Sequence, residues 1–105
     1  MTIDSYLSLG SNIVPRFETL QTAIISLCSL PGSDVESVST IYETEAVAFY
    51  SQADYLNCAI HIKTELTPEA LITSCRKIEF SNGRPVSRNK SEPRTLDIEI
   101  GRAHV

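Results

Sequence analysis

The chain has 105 residues, 42% hydrophobic and 21% charged, with a net charge of −4 and a pI near 5.0. That length holds one domain and not two, and an acidic balance argues against non-specific nucleic-acid binding, which needs a basic surface to release counterions. No apolar run approaches the ~20 residues that span a bilayer, and the N-terminus lacks the basic start and apolar stretch of a signal peptide. The three cysteines, Cys28, Cys58 and Cys75, are odd in number and far apart, so they read as small hydrophobes in a reducing cytoplasm. His61 and His104 are isolated and form no zinc constellation.

Ser5-Tyr6-Leu7-Ser8-Leu9 reads as a strand running into a turn at Gly10-Ser11-Asn12. A helix should follow Pro15, with Phe17, Leu20, Ile24 and Leu27 on one face and Pro31-Gly32 as the stop. Residues 35–44 are rich in β-branched side chains and tyrosine, which predicts a strand. Residues 46–53 read as a loop. Leu56, Cys58, Ile60 and Ile62 then alternate with Tyr55, Asn57, Ala59 and His61, the clearest strand pattern in the chain.

Thr67-Pro68-Glu69 is a helix start: threonine caps free amides, proline suits the first turn, and glutamate complements the dipole. Leu71, Cys75 and Ile78 form its buried stripe, and Asn82-Gly83 ends it. A polar, basic loop runs from residue 84 to 93. A final strand begins near Arg94, with Leu96, Ile98 and Ile100 on one face. The order is βαββαβ, the ferredoxin-like pattern of an α+β domain with an antiparallel sheet and helices packed on one face.

Strand alternation puts Asp97 and Glu99 on the same side, away from that core. Two carboxylates so placed can hold Mg²⁺ if substrate phosphates supply the remaining oxygens, although an exposed strand face with two ordinary acids has the same pattern. The preceding loop carries Arg84, Arg88, Lys90 and Arg94 against the single acid Glu92. Guanidinium forks suit phosphate oxygens, and a solvated loop of scattered charge is the other reading. Tyr55 and Asn57 share a strand face and can stack on and hydrogen-bond a flat heterocycle; a half-buried tyrosine beside a polar residue explains them as well. Arg76 and Glu79, three apart on a helix, can be an intrahelical pair. No Walker loop and no nucleophile elbow occurs, so phosphoryl chemistry here would rest on metal and arginine.

Four segments occur together, in this order, in one enzyme family. Tyr6-Leu7-Ser8-Leu9-Gly10-Ser11-Asn12, Val38-Ser39-Thr40-Ile41-Tyr42-Glu43-Thr44, Asp54-Tyr55-Leu56-Asn57 and Pro93-Arg94-Thr95-Leu96-Asp97 resemble the pyrophosphokinases that act on 6-hydroxymethyl-7,8-dihydropterin. The resemblance implies transfer of a pyrophosphoryl group from Mg-ATP to the pterin, with release of AMP, in cytoplasmic folate biosynthesis. It implies two Mg²⁺ ions at Asp97 and position 99, and pterin contacts from Thr44, Glu45, Val47, Tyr55 and Asn57. It further implies ATP contacts from Arg76, Glu79, Arg84 and Arg94, with Arg84, Arg88 and Arg94 as the catalytic cations and the 84–93 segment as a lid. A monomer is expected. Val14-Pro15, Glu45-Ala46, Ala48 and Ser91 depart from the family pattern. A non-catalytic ferredoxin-like module that binds a small molecule is the alternative, as is an inactive fragment.

The family has aspartate where Glu99 stands. The run Ile100-Gly101-Arg102-Ala103-His104-Val105 matches one reading frame of a common sequencing adapter. The expectation is a pyrophosphokinase domain over residues 1–98, incomplete at its C-terminal side with its last strand truncated, followed by adapter read-through over 99–105. On that expectation the 105-residue chain alone is inactive.

Overall fold

A computed structural model of the protein describes residues 1–45, 53–82 and 96–104, with side chains as far as Gly101. Its elements are β1 (Ile3–Ser11), α1 (Arg16–Cys28), β2 (Ser33–Val38), β3 (Tyr42–Thr44), β4 (Tyr55–Thr64), α2 (Pro68–Ser81) and β5 (Asp97–His104). The sheet order is β2-β4-β1-β5, with β3 also paired to β4. All pairings are antiparallel. This is the expected ferredoxin-like α+β arrangement.

One apolar cluster joins the sheet to both helices. Leu7 and Leu9 of β1, Cys58, Ile60 and Ile62 of β4, and Ile98 of β5 meet Leu20, Ala23 and Leu27 of α1 and Leu71, Cys75 and Ile78 of α2. The period-two pattern of β4 is why this works: it sends Cys58, Ile60 and Ile62 inward and leaves Asn57, Ala59 and His61 on the open face. Thr67 caps α2 as expected, its hydroxyl accepting the Ala70 N–H at 3.2 Å.

Three expectations need correction. Gly10 and Ser11 belong to β1 rather than to a turn, because β4 and β5 both pair with that end of the strand. The segment 35–44 is two strands, β2 and β3, separated at residues 39–41; at Ser39 the N–H still donates to the Ala59 carbonyl at 2.8 Å, but the side-chain hydroxyl accepts the Ala59 N–H at 2.7 Å. Phe17 is not in the core but 46% exposed. The inward face of α1 is Thr19, Leu20, Ala23 and Leu27, with Ile24 partly buried against the same cluster as expected. Residues 46–52 of the expected 46–53 loop and the basic segment over 84–93 lie outside the described residues, and with them Val47, Arg84, Arg88, Lys90 and, just beyond that segment, Arg94.

Gly32 takes φ = 62° in the turn before β2, a left-handed conformation that glycine adopts without a Cβ penalty. Opposite Tyr6, the pairing of β5 with β1 shifts register, and a Cβ on Gly101 would stand 3.0 Å from the Tyr6 carbonyl oxygen. A side chain here would press on that carbonyl, which would have to give by a few tenths of an ångström.

Cys58 and Cys75 are buried and Cys28 is exposed. Burial pushes the Cys58 thiol up. For Cys75, burial and then the neighbouring Glu79 charge push it from 9.0 to about 11, against a smaller lowering by Arg76. A thiol reagent at pH 8 is thus expected to label Cys28 fast and the other two only on unfolding; fast labelling of two or three thiols in native protein would contradict the packing. Because folded Cys75 holds its proton more tightly than the unfolded thiol, its contribution to stability is intact below pH 9 and is lost as pH rises toward 11.

Candidate functional site

The open face of the sheet carries one row of directly opposed residues: Tyr42 of β3, Asn57 of β4, Gly10 of β1 and Asp97 of β5. Cross-strand partners share a face, and this one lies opposite Leu9, Cys58 and Ile98 of the core. Asn57 and Asp97 are thus two strand spacings apart, about 10 Å at the backbone. Gly10 between them leaves a gap. A Cβ there would come within 3.1 Å of Asn57 Oδ1 and 3.2 Å of Tyr55 Cδ1, so Asn57 and Tyr55 lean over the position a side chain would fill.

Thr44 and Tyr55 form the next pair along this face. Asn57 Nδ2 donates to Thr44 Oγ1 at 2.8 Å and to the Tyr42 carbonyl at 3.3 Å. The amide group is held by these bonds while its oxygen is turned toward Gly10. Asn12 Nδ2 donates to the Ala53 carbonyl at 3.1 Å, and Arg16 Nη1 reaches both Glu43 Oε2 at 3.0 Å and the Asp54 carbonyl at 2.9 Å. Thr44, Tyr55 and Asn57 are therefore brought together on this face. Glu45, exposed, follows directly on Thr44.

On the other side of Gly10, Asp97 and Glu99 flank Ile98 and share the open face, with Glu99 opposite Ser8. Besides its pairing with β1, this strand is tied by a carboxylate from α2. Glu79 is 1% exposed; its Oε2 accepts the Ile98 N–H at 2.8 Å and its Oε1 accepts from Arg76 Nη1 at 3.1 Å. Arg76 and Glu79 do form the intrahelical pair that their spacing allowed. The grip of Glu79 on the peptide between Asp97 and Glu99 was not legible from spacing, because a glutamate three residues after an arginine is ordinary on a helix surface. Gly10 and Arg16 were missed as well; the signals for them were a glycine at the end of an apolar strand and a cation at the start of a helix.

The donor set fits Mg²⁺ in one specific sense. Among the described residues no cluster of three or more His, Cys, Asp or Glu side chains could hold a metal on its own, whereas Mg²⁺ is commonly held by one or two carboxylates with phosphate and water oxygens completing the shell. Asp97 and Glu99 offer two carboxylates on one face, beside the space that Gly10 leaves open, and such hard oxygens are the kind Mg²⁺ accepts.

A ferredoxin-like domain with a polar open face, split by a glycine into an aromatic–amide side and a two-carboxylate side, is the class defined by this geometry. The family model described as 7,8-dihydro-6-hydroxymethylpterin-pyrophosphokinase matches residues 6–103, and the chain belongs to that family. It is 40% identical over 96 residues to the 2-amino-4-hydroxy-6-hydroxymethyldihydropteridine pyrophosphokinase of Bacillus subtilis, covering 91% of this chain and 57% of the relative. The protein of the same name from Aquifex aeolicus is 38% identical over 95 residues, covering 90% and 58%. The folic acid synthesis protein fol1 of Schizosaccharomyces pombe is 40% identical over 96 residues, which is 91% of this chain and 13% of that protein. The chain thus spans less than two thirds of these relatives' lengths.

Proposed function

We propose that the protein transfers the pyrophosphoryl group of Mg-ATP to 6-hydroxymethyl-7,8-dihydropterin in folate biosynthesis, as a cytoplasmic monomer with no nucleic-acid or membrane partner. Family membership supports the reaction. The observation that supports the site assignment is the Asn57–Gly10–Asp97 row, with an aromatic–amide side and a two-carboxylate side across one glycine. No helix among the described residues is long and apolar enough to cross a membrane.

In this reading Tyr55 stacks on the pterin and Asn57 Oδ1 accepts from its N–H groups. Thr44, Glu45 and Val47 would contribute further contacts to the same ligand, as the family resemblance implies. Asp97 and Glu99 would hold two Mg²⁺ ions, whose chemistry when bound is to neutralise charge on the ATP phosphates. Arg84, Arg88 and Arg94 would clamp the same phosphates, Arg76 would reach the nucleotide from α2, and Glu79 would serve it by fixing β5. The pterin hydroxymethyl oxygen forms a bond to the β-phosphorus, the bond from that phosphorus to the α–β bridging oxygen breaks, AMP leaves with the electron pair, and the hydroxyl proton passes to solvent. The protein's contribution is alignment and charge compensation.

The gene should be read through codon 99 to its stop codon, which also tests the assignment of residues 99–105 to adapter, and the encoded protein assayed with ATP, Mg²⁺ and the pterin. AMP formed in step with pterin pyrophosphate is the expected result. Binding of pterin without AMP release would leave a non-catalytic module, and binding of neither ligand would sink the assignment.

A further inference from the structure

Arg16 is the first residue of α1, where a cation is disfavoured because the N-terminal end of a helix carries partial positive charge. Its charge is answered from outside the helix. One guanidinium nitrogen donates to Glu43 Oε2 at 3.0 Å and to the Asp54 carbonyl at 2.9 Å. These acceptors sit one residue before Thr44 and one residue before Tyr55, and Thr44 and Tyr55 are cross-strand partners. A single side chain therefore holds both strands of the site wall where the chain leaves β3 and where it returns into β4.

We propose that Arg16 is a positioning residue for ligand binding: by tying Glu43 and the Asp54 carbonyl to the start of α1 it keeps the Thr44–Tyr55–Asn57 wall formed before the heterocycle arrives. The need for such a tie follows from β3 itself. It has three residues, all exposed, and pairs with β4 away from the main strand path. A strand so short, with no buried side chain, has little packing to oppose fraying. Asn57 contributes from the β4 side through its bonds to Thr44 and the Tyr42 carbonyl, and Asn12 fastens Ala53. Arg16 is the tie that joins the two strands to the helix.

The Arg16 side chain is 26% exposed and that of Glu43 57%. An ion pair this open adds little to global stability, so its effect should appear in the population of the formed wall. Apparent affinity scales with the fraction of molecules in the binding-competent state. If loss of Arg16 leaves the wall formed in about a tenth of molecules, affinity for the heterocycle falls about tenfold.

The inference rests on the proposed function for the identity of the ligand, and the test separates the two. In the protein encoded by the complete reading frame, Arg16→Met keeps the aliphatic stem and removes the charge. The expected result is a pterin dissociation constant raised about tenfold, Mg-ATP affinity within about twofold, an unfolding midpoint moved by no more than a few degrees, and faster amide exchange at residues 55–57 than in the wild type. Arg16→Lys keeps a cation for Glu43 on a differently shaped head that cannot reproduce both contacts in place, and should recover part of the affinity. Unchanged exchange at residues 55–57 overturns the inference, as does a parallel fall of pterin affinity, ATP affinity and midpoint, which would mark Arg16 as merely structural. A wild-type protein that binds no pterin removes the ligand assignment, and the exchange comparison in the unliganded protein still decides the role of Arg16.

Discussion

Glu79→Ala is expected to lower the stability of the fold by about 3 kcal/mol, moving the urea midpoint well outside experimental scatter. The carboxylate is 1% exposed and accepts from the Ile98 N–H and from Arg76. Removing it leaves a buried backbone donor without its partner, at about 1–3 kcal/mol, and a cation without its counter-charge. The second loss is the smaller one, because the Arg76 side chain is 44% exposed and water can take over part of its solvation. The side-chain volume removed adds a cavity beneath β5. Glu79→Gln keeps an oxygen acceptor for Ile98 and should cost about half as much. A small domain has only ~5–15 kcal/mol in total, so the alanine variant should be visibly compromised at 37 °C. A midpoint within 1 kcal/mol of the wild type, by the usual linear extrapolation, would show that the strand is held by something else.

The largest effect on chemistry is expected at Asp97. In the proposed reaction Asp97→Asn keeps the shape of the side chain and removes one charged ligand, so Mg²⁺-dependent AMP release should fall by about 10³-fold, or about 4 kcal/mol of transition-state stabilisation. Thermal stability should change little, since the side chain lies on the open face rather than in the core. Replacing the acid that the complete reading frame carries at position 99 by its amide should lose less, because position 99 is the more exposed of the two. The measurement is AMP release against Mg²⁺ concentration for both variants in the complete protein. Activity in Asp97→Asn within tenfold of the wild type would rule out this carboxylate as the principal ligand.

What could be read from the residues alone was governed by periodicity. Cys58, Ile60 and Ile62 alternate cleanly, and β4 came out as expected with its open face correctly assigned. Thr67-Pro68-Glu69 fixed the start of α2 because capping chemistry is local. The misreadings arose where tertiary pairing overrides local preference. Gly10 and Ser11 have turn chemistry but are strand residues, since neighbours on both sides supply hydrogen bonds that the local sequence does not announce. Phe17 fits a helical stripe, yet the contact face of α1 is centred on Ala23. In the site, Tyr55, Asn57 and Thr44 were legible as a group through strand alternation together with family resemblance. The part played by Gly10 was not, because its contribution is the absence of atoms. Arg16 and Glu79 act across 27 and 19 residues of sequence, and no local pattern encodes a partner at that range.

The arrangement of the open face also says something about when the site comes into being. Its two sides meet only through β1, the first strand of the chain, which must pair with β4 to set Gly10 against Asn57 and with β5 to set Gly10 against Asp97. The first pairing closes a loop between residues 10 and 57 and the second a loop between residues 10 and 97. Closure entropy grows with loop length, and folds ruled by such distant contacts assemble slowly. During synthesis the aromatic–amide side can form while the carboxylate strand is still inside the ribosome. The nascent domain would therefore pass through an interval in which the heterocycle half exists and the phosphate half does not.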